Sequence, residues 1–183
     1  LNNRGLVANC WSDSTIYGSG NRENGNEGMA VVSQLVACNA GALANCYGSG
    51  DVTTKEHSTY AGMVSGWVTG IGKSYTCWYD LGSTMTVGPL IVKPVESIGT
   101  KVASGVTEEG DAYTGGLVDK MTGYTGTSKL ADGLNGTFEE FPIDITVFGL
   151  TNNALKTWTT NEDGLVTFGD TNGTVTYVQP ECE

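Results

Sequence analysis

Five cysteines, Cys10, Cys38, Cys46, Cys77 and Cys182, carry the widest chemical repertoire in this 183-residue chain. Thiols ligate soft metals, exchange disulfides or attack as thiolates, and their spacing tells which. None of the five stands in a Cys-x-x-Cys pair, and the lone histidine, His57, cannot complete a zinc set. In a chain rich in Gly, Thr and Asn, disulfides are the natural reading. Within one helix Cys38 and Cys46 would lie about 12 Å apart, beyond disulfide reach. A helix stop at Asn39-Ala40-Gly41 lets the chain turn back, so a local Cys38–Cys46 bridge is expected. Cys10 and Cys77 share a Cys-Trp context in strand-like runs, which suggests a Cys10–Cys77 bridge between neighbouring strands beneath a tryptophan. Cys182 is left over, either as an unpaired thiol or as an intermolecular link to the next subunit.

No catalytic set assembles from the remaining residues. His57 sits in the polar run Lys55-Glu56-His57-Ser58, and its neighbour Ser58 is not made a nucleophile by adjacency, since triads are built in space. A Gly-x-Ser-x-Gly elbow is absent. Gly70-Ile71-Gly72-Lys73-Ser74 has the look of a phosphate loop, but the Walker pattern requires glycine where Trp67 stands, and Tyr75-Thr76-Cys77-Trp78-Tyr79 reads as strand rather than helix. Glu108-Glu109 and Glu139-Glu140 could supply a glycosidase pair, although solvated faces account for them as well. The chain is accordingly read as non-enzymatic, with no cofactor. Structural calcium is the one metal its turns could hold, through Asn21–Glu27, Asn161–Asp163 or Asp170–Asn172, none of which follows the EF-hand order. Asn135-Gly136-Thr137 and Asn172-Gly173-Thr174 are N-glycosylation sequons, which makes Asn135 and Asn172 glycosylation candidates. Trp11, Trp67, Trp78, Tyr75 and Tyr79 form either a sugar-stacking platform or a core.

Composition sets the elements that must hold these residues. Acidic side chains number 20 against 9 basic ones, for a net charge of −11. Scattered cations exclude phosphate tracking, so nucleic acid is not a partner, and an acidic surface repels anionic membranes. No apolar stretch is clean enough to insert in a bilayer; the longest, Met29 to Cys46, is broken by Ser33, Gln34, Asn39 and Asn45. Thr and Val favour pleated surfaces, and Gly and Asn supply turns. The fold class is therefore mainly β: an antiparallel β-sandwich with one short helix over about 28–40, where Met29, Val32, Leu35 and Val36 mark an apolar face. The sequence reads as one domain over 1–183, with a β-rich part at 1–103, a long Gly-rich surface excursion at 104–136 and an antiparallel meander at 137–183. Strands are expected within 1–18, in pairs over Tyr60–Tyr79 and Thr84–Val95, and from Phe138 to Phe148. Two hairpins follow, turning at Asn161–Gly164 and at Asp170–Gly173.

The run Thr159-Thr160-Asn161-Glu162-Asp163-Gly164-Leu165-Val166-Thr167-Phe168, followed by Asn172-Gly173-Thr174-Val175-Thr176-Tyr177, resembles prealbumin-like β-sandwich modules of bacterial surface proteins and pilins. The likeness covers about 40 residues and implies a surface-exposed sandwich, with no chemistry carried over. These features together suggest an extracellular, disulfide-bonded structural subunit of a filament or surface layer, polymerising with copies of itself. Its chain start, Leu1, is consistent with a processed secretory leader. The segment with Leu1, Leu6 and Val7 is a strand-addition candidate. A secreted carbohydrate-binding module is the alternative.

Overall fold

A short motif recurs along the chain and sets its architecture. Residues 8–11 read Ala-Asn-Cys-Trp, residues 44–47 Ala-Asn-Cys-Tyr, and residues 75–78 Tyr-Thr-Cys-Trp. Asn9, Asn45 and Thr76 all adopt positive φ, at 56°, 53° and 47°. Asn tolerates this left-handed region better than most residues, and here it turns the same corner repeatedly. The computed structural model describes residues 1–18, 31–54, 59–68, 72–80, 83–87, 90–92, 100–102, 122–124 and 127–179.

Between those corners the strands stack as three successive coils. The first holds β1 (Asn2–Ala8), β2 (Trp11–Asp13), β3 (Ile16–Gly18) and β4 (Val31–Ser33). The second holds β5 (Val36–Ala44), β6 (Tyr47–Ser49), β7 (Val52–Thr54) and β8 (Thr59–Gly62), and the third β9 (Ser65–Val68), β10 (Lys73–Tyr75), β11 (Trp78–Asp80) and β12 (Met85–Val87). Each strand pairs in parallel with its counterpart one coil away: β1 with β5, β2 with β6, β3 with β7 and β4 with β8. The third coil continues this, β9 and β10 sharing the length of β5, β11 adding to β6 and β12 to β7. The result is a parallel β-solenoid, in which coils lie about 4.8 Å apart and equivalent residues form columns.

Inside, Leu43, Cys46, Val52, Val64 and Cys77 are completely buried, with Met63, Tyr79 and Met85 beside them. Polar columns carry the corners. Asn45 Nδ2 donates to Asn9 Oδ1 at 2.9 Å, and Asn2 Nδ2 donates to Asn39 Oδ1 at 2.9 Å. Buried Gln34 ties two coils together, donating to the carbonyls of Ser14 (2.7 Å) and Gly50 (3.1 Å) and accepting from Ser12 Oγ. Such amide columns satisfy groups that burial would otherwise penalise.

At the third coil the pattern breaks. Strand β13 (Leu90–Val92) runs antiparallel to β12, β14 (Thr100–Val102) runs antiparallel to β8, and β15 (Thr122–Tyr124) adds in parallel to β11. Helix α1 (Thr127–Gly136), a 3-10 turn (Ile145–Phe148) and the hairpin of β16 (Lys156–Thr160) and β17 (Val166–Asn172) then cover the outer wall of the coils. A second core lies under them. Leu130, Leu134, Phe141, Ile145, Trp158, Val166 and Val175 pack on Ala44 and Tyr47, with Trp11 and Trp78 at its margin. Trp11 stacks on Tyr47 at 5.8 Å, and Tyr47 meets Trp158 edge-on at 5.6 Å while its hydroxyl donates to the Val166 carbonyl. Gly133 lets α1 sit on the Trp78 ring, where an added Cβ would come within 2.5 Å of ring carbons.

The chain is mainly β with one described α-helix, but its sheets are mostly parallel rather than those of an antiparallel sandwich. The helix expected over 28–40 is replaced, in its described part, by β4 and the start of β5. The wall of a solenoid can be covered on both faces, so apolar residues need not alternate, and Val32, Leu35 and Val36, spread over β4, a bend and β5, reproduce helical spacing. The one described α-helix lies instead at the end of the Gly-rich stretch. Within the strand pair expected over Tyr60–Tyr79, β9 and β10 do not pair with each other, because both follow β5. Antiparallel pairing of β12 with β13 and the hairpin turning at Asn161–Gly164 agree with the sequence reading. The second expected hairpin is absent: β17 runs through Asp170 to Asn172, and residues beyond it make a single parallel bridge, Tyr177 with Phe141. Phe138–Phe148 is no strand either. Asp144 accepts from Thr146 N at 3.0 Å and caps the 3-10 turn that ends at Gly149, with φ of 79°.

Candidate functional site

The feature that distinguishes one end of the molecule is its first coil. Strands β1, β2, β3 and β4 are each the terminal strand of their sheets. The interior columns end there as well. Leu43, Cys46 and Val52 of the second coil are fully buried, whereas Val7, Cys10 and Ile16, their counterparts in the first, are only half-buried. Among the described residues, strand edges without a ladder partner and a partly open apolar interior thus share one surface. Leu1 is 86% exposed at its margin, Leu6 faces the outer core and Val7 the inner one. The segment expected as an exchangeable strand is therefore already paired with β5 in its own sheet, and its other edge is the one available.

Behind that end stands a column of three thiols. Trp11 lies opposite Tyr47, and Tyr47 opposite Trp78, which puts Cys10, Cys46 and Cys77 in consecutive positions down the interior. Cys10 N donates to Cys46 Sγ at 3.4 Å. Hydrogen bonding to Cys46 raises the Cys10 thiol pKa above its ordinary range, with burial and repulsion from Cys46 adding to this. Burial pushes the Cys46 thiol up. Neither expected bridge fits this arrangement, in which Cys10, Cys38, Cys46 and Cys77 are unbridged. Cys38 and Cys46 are separated by extended chain, since β5 runs on from Cys38 to Ala44, about 20 Å at the rise of a strand. Cys10 and Cys77 lie two coils apart, about 9.6 Å, with Cys46 between them.

A groove of about 410 Å³ opens where the C-terminal unit meets the coils. Its floor is Gly41, Ala42, Lys73 and Tyr75, and its far wall is formed by Asp144, Phe148 and Tyr177 with their neighbours. Phe148 and Tyr177 are 41% and 43% exposed. Lys73 Nζ stands 6.0 Å from the centre of the Tyr75 ring. The groove therefore offers three aromatic faces, one ammonium and one carboxylate.

Of the five aromatic residues expected to form a platform, only Tyr75 reaches this groove. Trp11 and Trp78 flank the outer core, Tyr79 lies in the inner one, and Trp67 stands on β9 opposite Cys38. Phe148 and Tyr177 were not singled out by sequence, because nothing in their local context marks them as neighbours of Tyr75. Lys73 and Ser74 of the phosphate-loop candidate belong to β10. Asn135 uses both ends of its amide on the backbone of Trp158, donating to the carbonyl at 2.9 Å and accepting from the amide at 2.8 Å. Asn172 is exposed and donates to the Asn153 carbonyl. In the Asn161–Asp163 turn, Asn161 Oδ1 accepts from Asp163 N and Leu165 N. Glu139 and Glu140 are exposed, and Asp170 accepts from Lys156 Nζ through its carbonyl. His57, Glu108-Glu109, Asn21–Glu27 and Cys182 lie outside the described residues. Among the described residues no cluster of His, Cys, Asp and Glu could hold a metal, and no helix is long and apolar enough to cross a membrane. No protein-family model, curated protein or solved structure matches the chain.

Proposed function

We propose that this chain is a structural module of an extracellular filament or surface layer, in which the first coil stacks on a coil of another copy. The supporting observation is the contrast between coils: the columns that bury Leu43, Cys46 and Val52 leave Val7, Cys10 and Ile16 half-buried at a face whose strands have no outer partner among the described residues. A further coil supplies both missing terms, hydrogen bonds to the edges and apolar cover for the column. A second copy carries matching columns at the same spacing. The net charge of −11 opposes self-association, so stacking strengthens as salt screens the repulsion. The test is sedimentation velocity and electron microscopy across protein and salt concentration. Wild type associates increasingly with salt. Ile16→Lys, a charge directed into the open column, keeps the native circular dichroism spectrum and stays monomeric. A wild type that is monomeric at millimolar concentration in high salt overturns the reading.

A carbohydrate-binding role is the second reading, favoured by the groove. Aromatic faces such as Tyr75, Phe148 and Tyr177 stack on sugar rings, while Lys73 and Asp144 offer hydrogen bonds to hydroxyls. A glycan array followed by calorimetry tests it. A hit whose affinity falls at least tenfold in Tyr177→Ala supports the groove, and an affinity unchanged by that substitution removes it.

A further inference from the structure

The three stacked thiols carry an inference independent of the assembly reading. We propose that Cys10 and Cys46 form a disulfide between the first and second coils, with Cys77 remaining a thiol. In-register neighbours on parallel strands lie about 4.8 Å apart, inside the Cα separation that a disulfide spans. Cys10 and Cys46 occupy equivalent corners between the in-register pairs Ala8–Ala44 and Trp11–Tyr47, which sets them at that spacing, and the Cys10 amide already donates to the Cys46 sulfur at 3.4 Å. Cys46 and Cys77 are equally in register, but both are fully buried, whereas Cys10 is half-buried at the open end. Of the three stacked thiols an external oxidant therefore reaches Cys10 first, and the thiol stacked on Cys10 is Cys46.

The chemistry requires a disulfide donor, either an oxidised thiol–disulfide oxidoreductase or oxidised glutathione. Cys10 loses its proton and its thiolate attacks one sulfur of the donor, expelling the other sulfur as a thiolate and leaving a mixed disulfide on Cys10. Cys46 then loses its proton and attacks the Cys10 sulfur, releasing the second donor sulfur. The donor takes up two electrons, two protons leave the protein thiols, and one S–S bond forms between coils. The raised thiol pKa of both residues slows each attack at neutral pH, so bridge formation accelerates as pH rises.

The test is a non-reducing peptide map of the folded chain after incubation with oxidised glutathione. Trypsin leaves Cys38 and Cys46 on one peptide, so a Cys38→Ala variant is mapped in parallel. The expected product links the Cys10 peptide to the Cys46 peptide in wild type, in Cys38→Ala and in Cys77→Ala, and is missing in Cys46→Ala. Cys77 is alkylated only after denaturation. Circular dichroism confirms that each variant is folded, and if Cys77→Ala is not, the wild-type and Cys38→Ala maps decide. A bridge that uses Cys38, Cys77 or Cys182, or a folded protein whose Cys10 and Cys46 stay reduced at pH 9, overturns the proposal.

Discussion

Replacing Thr76 by Asn extends the asparagine column into the third coil. In the first two coils the corner residue is Asn, and Asn45 Nδ2 reaches Asn9 Oδ1 at 2.9 Å. The top of that column is satisfied as well, because Asn9 Nδ2 donates to the Lys156 carbonyl at 2.8 Å. At the third corner the column stops: Asn45 Oδ1 and Thr76 Oγ1 are both buried and have no hydrogen-bond partner among the described residues. Thr76 also holds φ of 47°, a region that costs a β-branched residue about 1–2 kcal/mol and costs Asn less. The amide introduced by Thr76→Asn would donate to Asn45 Oδ1 as Asn45 donates to Asn9, and a buried hydrogen bond of this kind contributes about 0.5–1.5 kcal/mol net. Relief of strain and the new bond together give about 1–2 kcal/mol. For a chain of this length each kcal/mol shifts Tm by about 2–4 °C, so Thr76→Asn should melt about 2–8 °C above wild type. Thermal unfolding followed by circular dichroism reads the shift, with urea unfolding as a check. Asn45→Ala should move the other way, because it strands Asn9 Oδ1. A folded Thr76→Asn with unchanged or lowered Tm would show that the third corner does not repeat the first two, and the column argument would fail with it.

Two further perturbations test the packing. Gly133→Ala would raise helix propensity by about 1 kcal/mol in an isolated helix, yet its Cβ would meet the Trp78 ring at 2.5 Å. The contact decides, so the variant should be destabilised by about 1–3 kcal/mol in urea, and the Gly133→Ala/Trp78→Leu double variant should recover part of the loss. Reduced protein should also lose stability in base. Burial holds the Cys46 thiol protonated in the folded state, while the unfolded thiol titrates around its ordinary value of 9.0. Unfolding above that pH releases a proton, so this group's contribution is intact below about pH 8 and declines by about 1.4 kcal/mol per pH unit above 9. Urea midpoints of wild type and Cys46→Ala, compared from pH 7 to 10.5, should converge in base; parallel curves would contradict the buried-thiol assignment.

How far the sequence reveals this fold depends on the length of the repeat. The hairpin around Asn161–Gly164 is legible because its information is local: Asn161 closes the turn with its own side chain and Gly164 supplies φ of 81°. The coils are not legible in the same way. Their pairing partners are 36 and 31 residues apart at the cysteine corners, and no local pattern separates a parallel wall strand from an antiparallel one. A signal was nevertheless present. Cys10-Trp11 and Cys77-Trp78 share a context, and Cys46-Tyr47 completes the series once Tyr is allowed in place of Trp. Seen as a triplet, the cysteines are residues in one column, not separate bridge ends. The aromatic residue after each cysteine then faces outward, which explains how Trp11, Tyr47 and Trp78 come to underlie the C-terminal unit.

This alternation decides where function can reside. At each corner the cysteine points into the coils and the next residue points out, so a single motif builds the inner core and a platform for the outer one. Once Tyr47 is pinned between Trp11 and Trp158, with its hydroxyl on Val166, that wall is occupied and cannot serve a partner. Trp11, Trp78 and Trp158 are thereby taken up in packing, although the number and spacing of the aromatic residues suggest ligand binding. What stays accessible lies at the edges of this packing. One is the groove beside the cap, lined by Tyr75, Phe148 and Tyr177; the other is the first coil, where among the described residues the column of Val7, Cys10 and Ile16 has a neighbour on only one side. The two surfaces make separable demands, because Tyr177 belongs to the cap and Ile16 to the coils. A Tyr177→Ala chain should therefore assemble as wild type does, and an Ile16→Lys chain should keep whatever affinity the groove has. Loss of both properties in either variant would mean that groove and coil end are one cooperative unit, coupled through the outer core rather than independent.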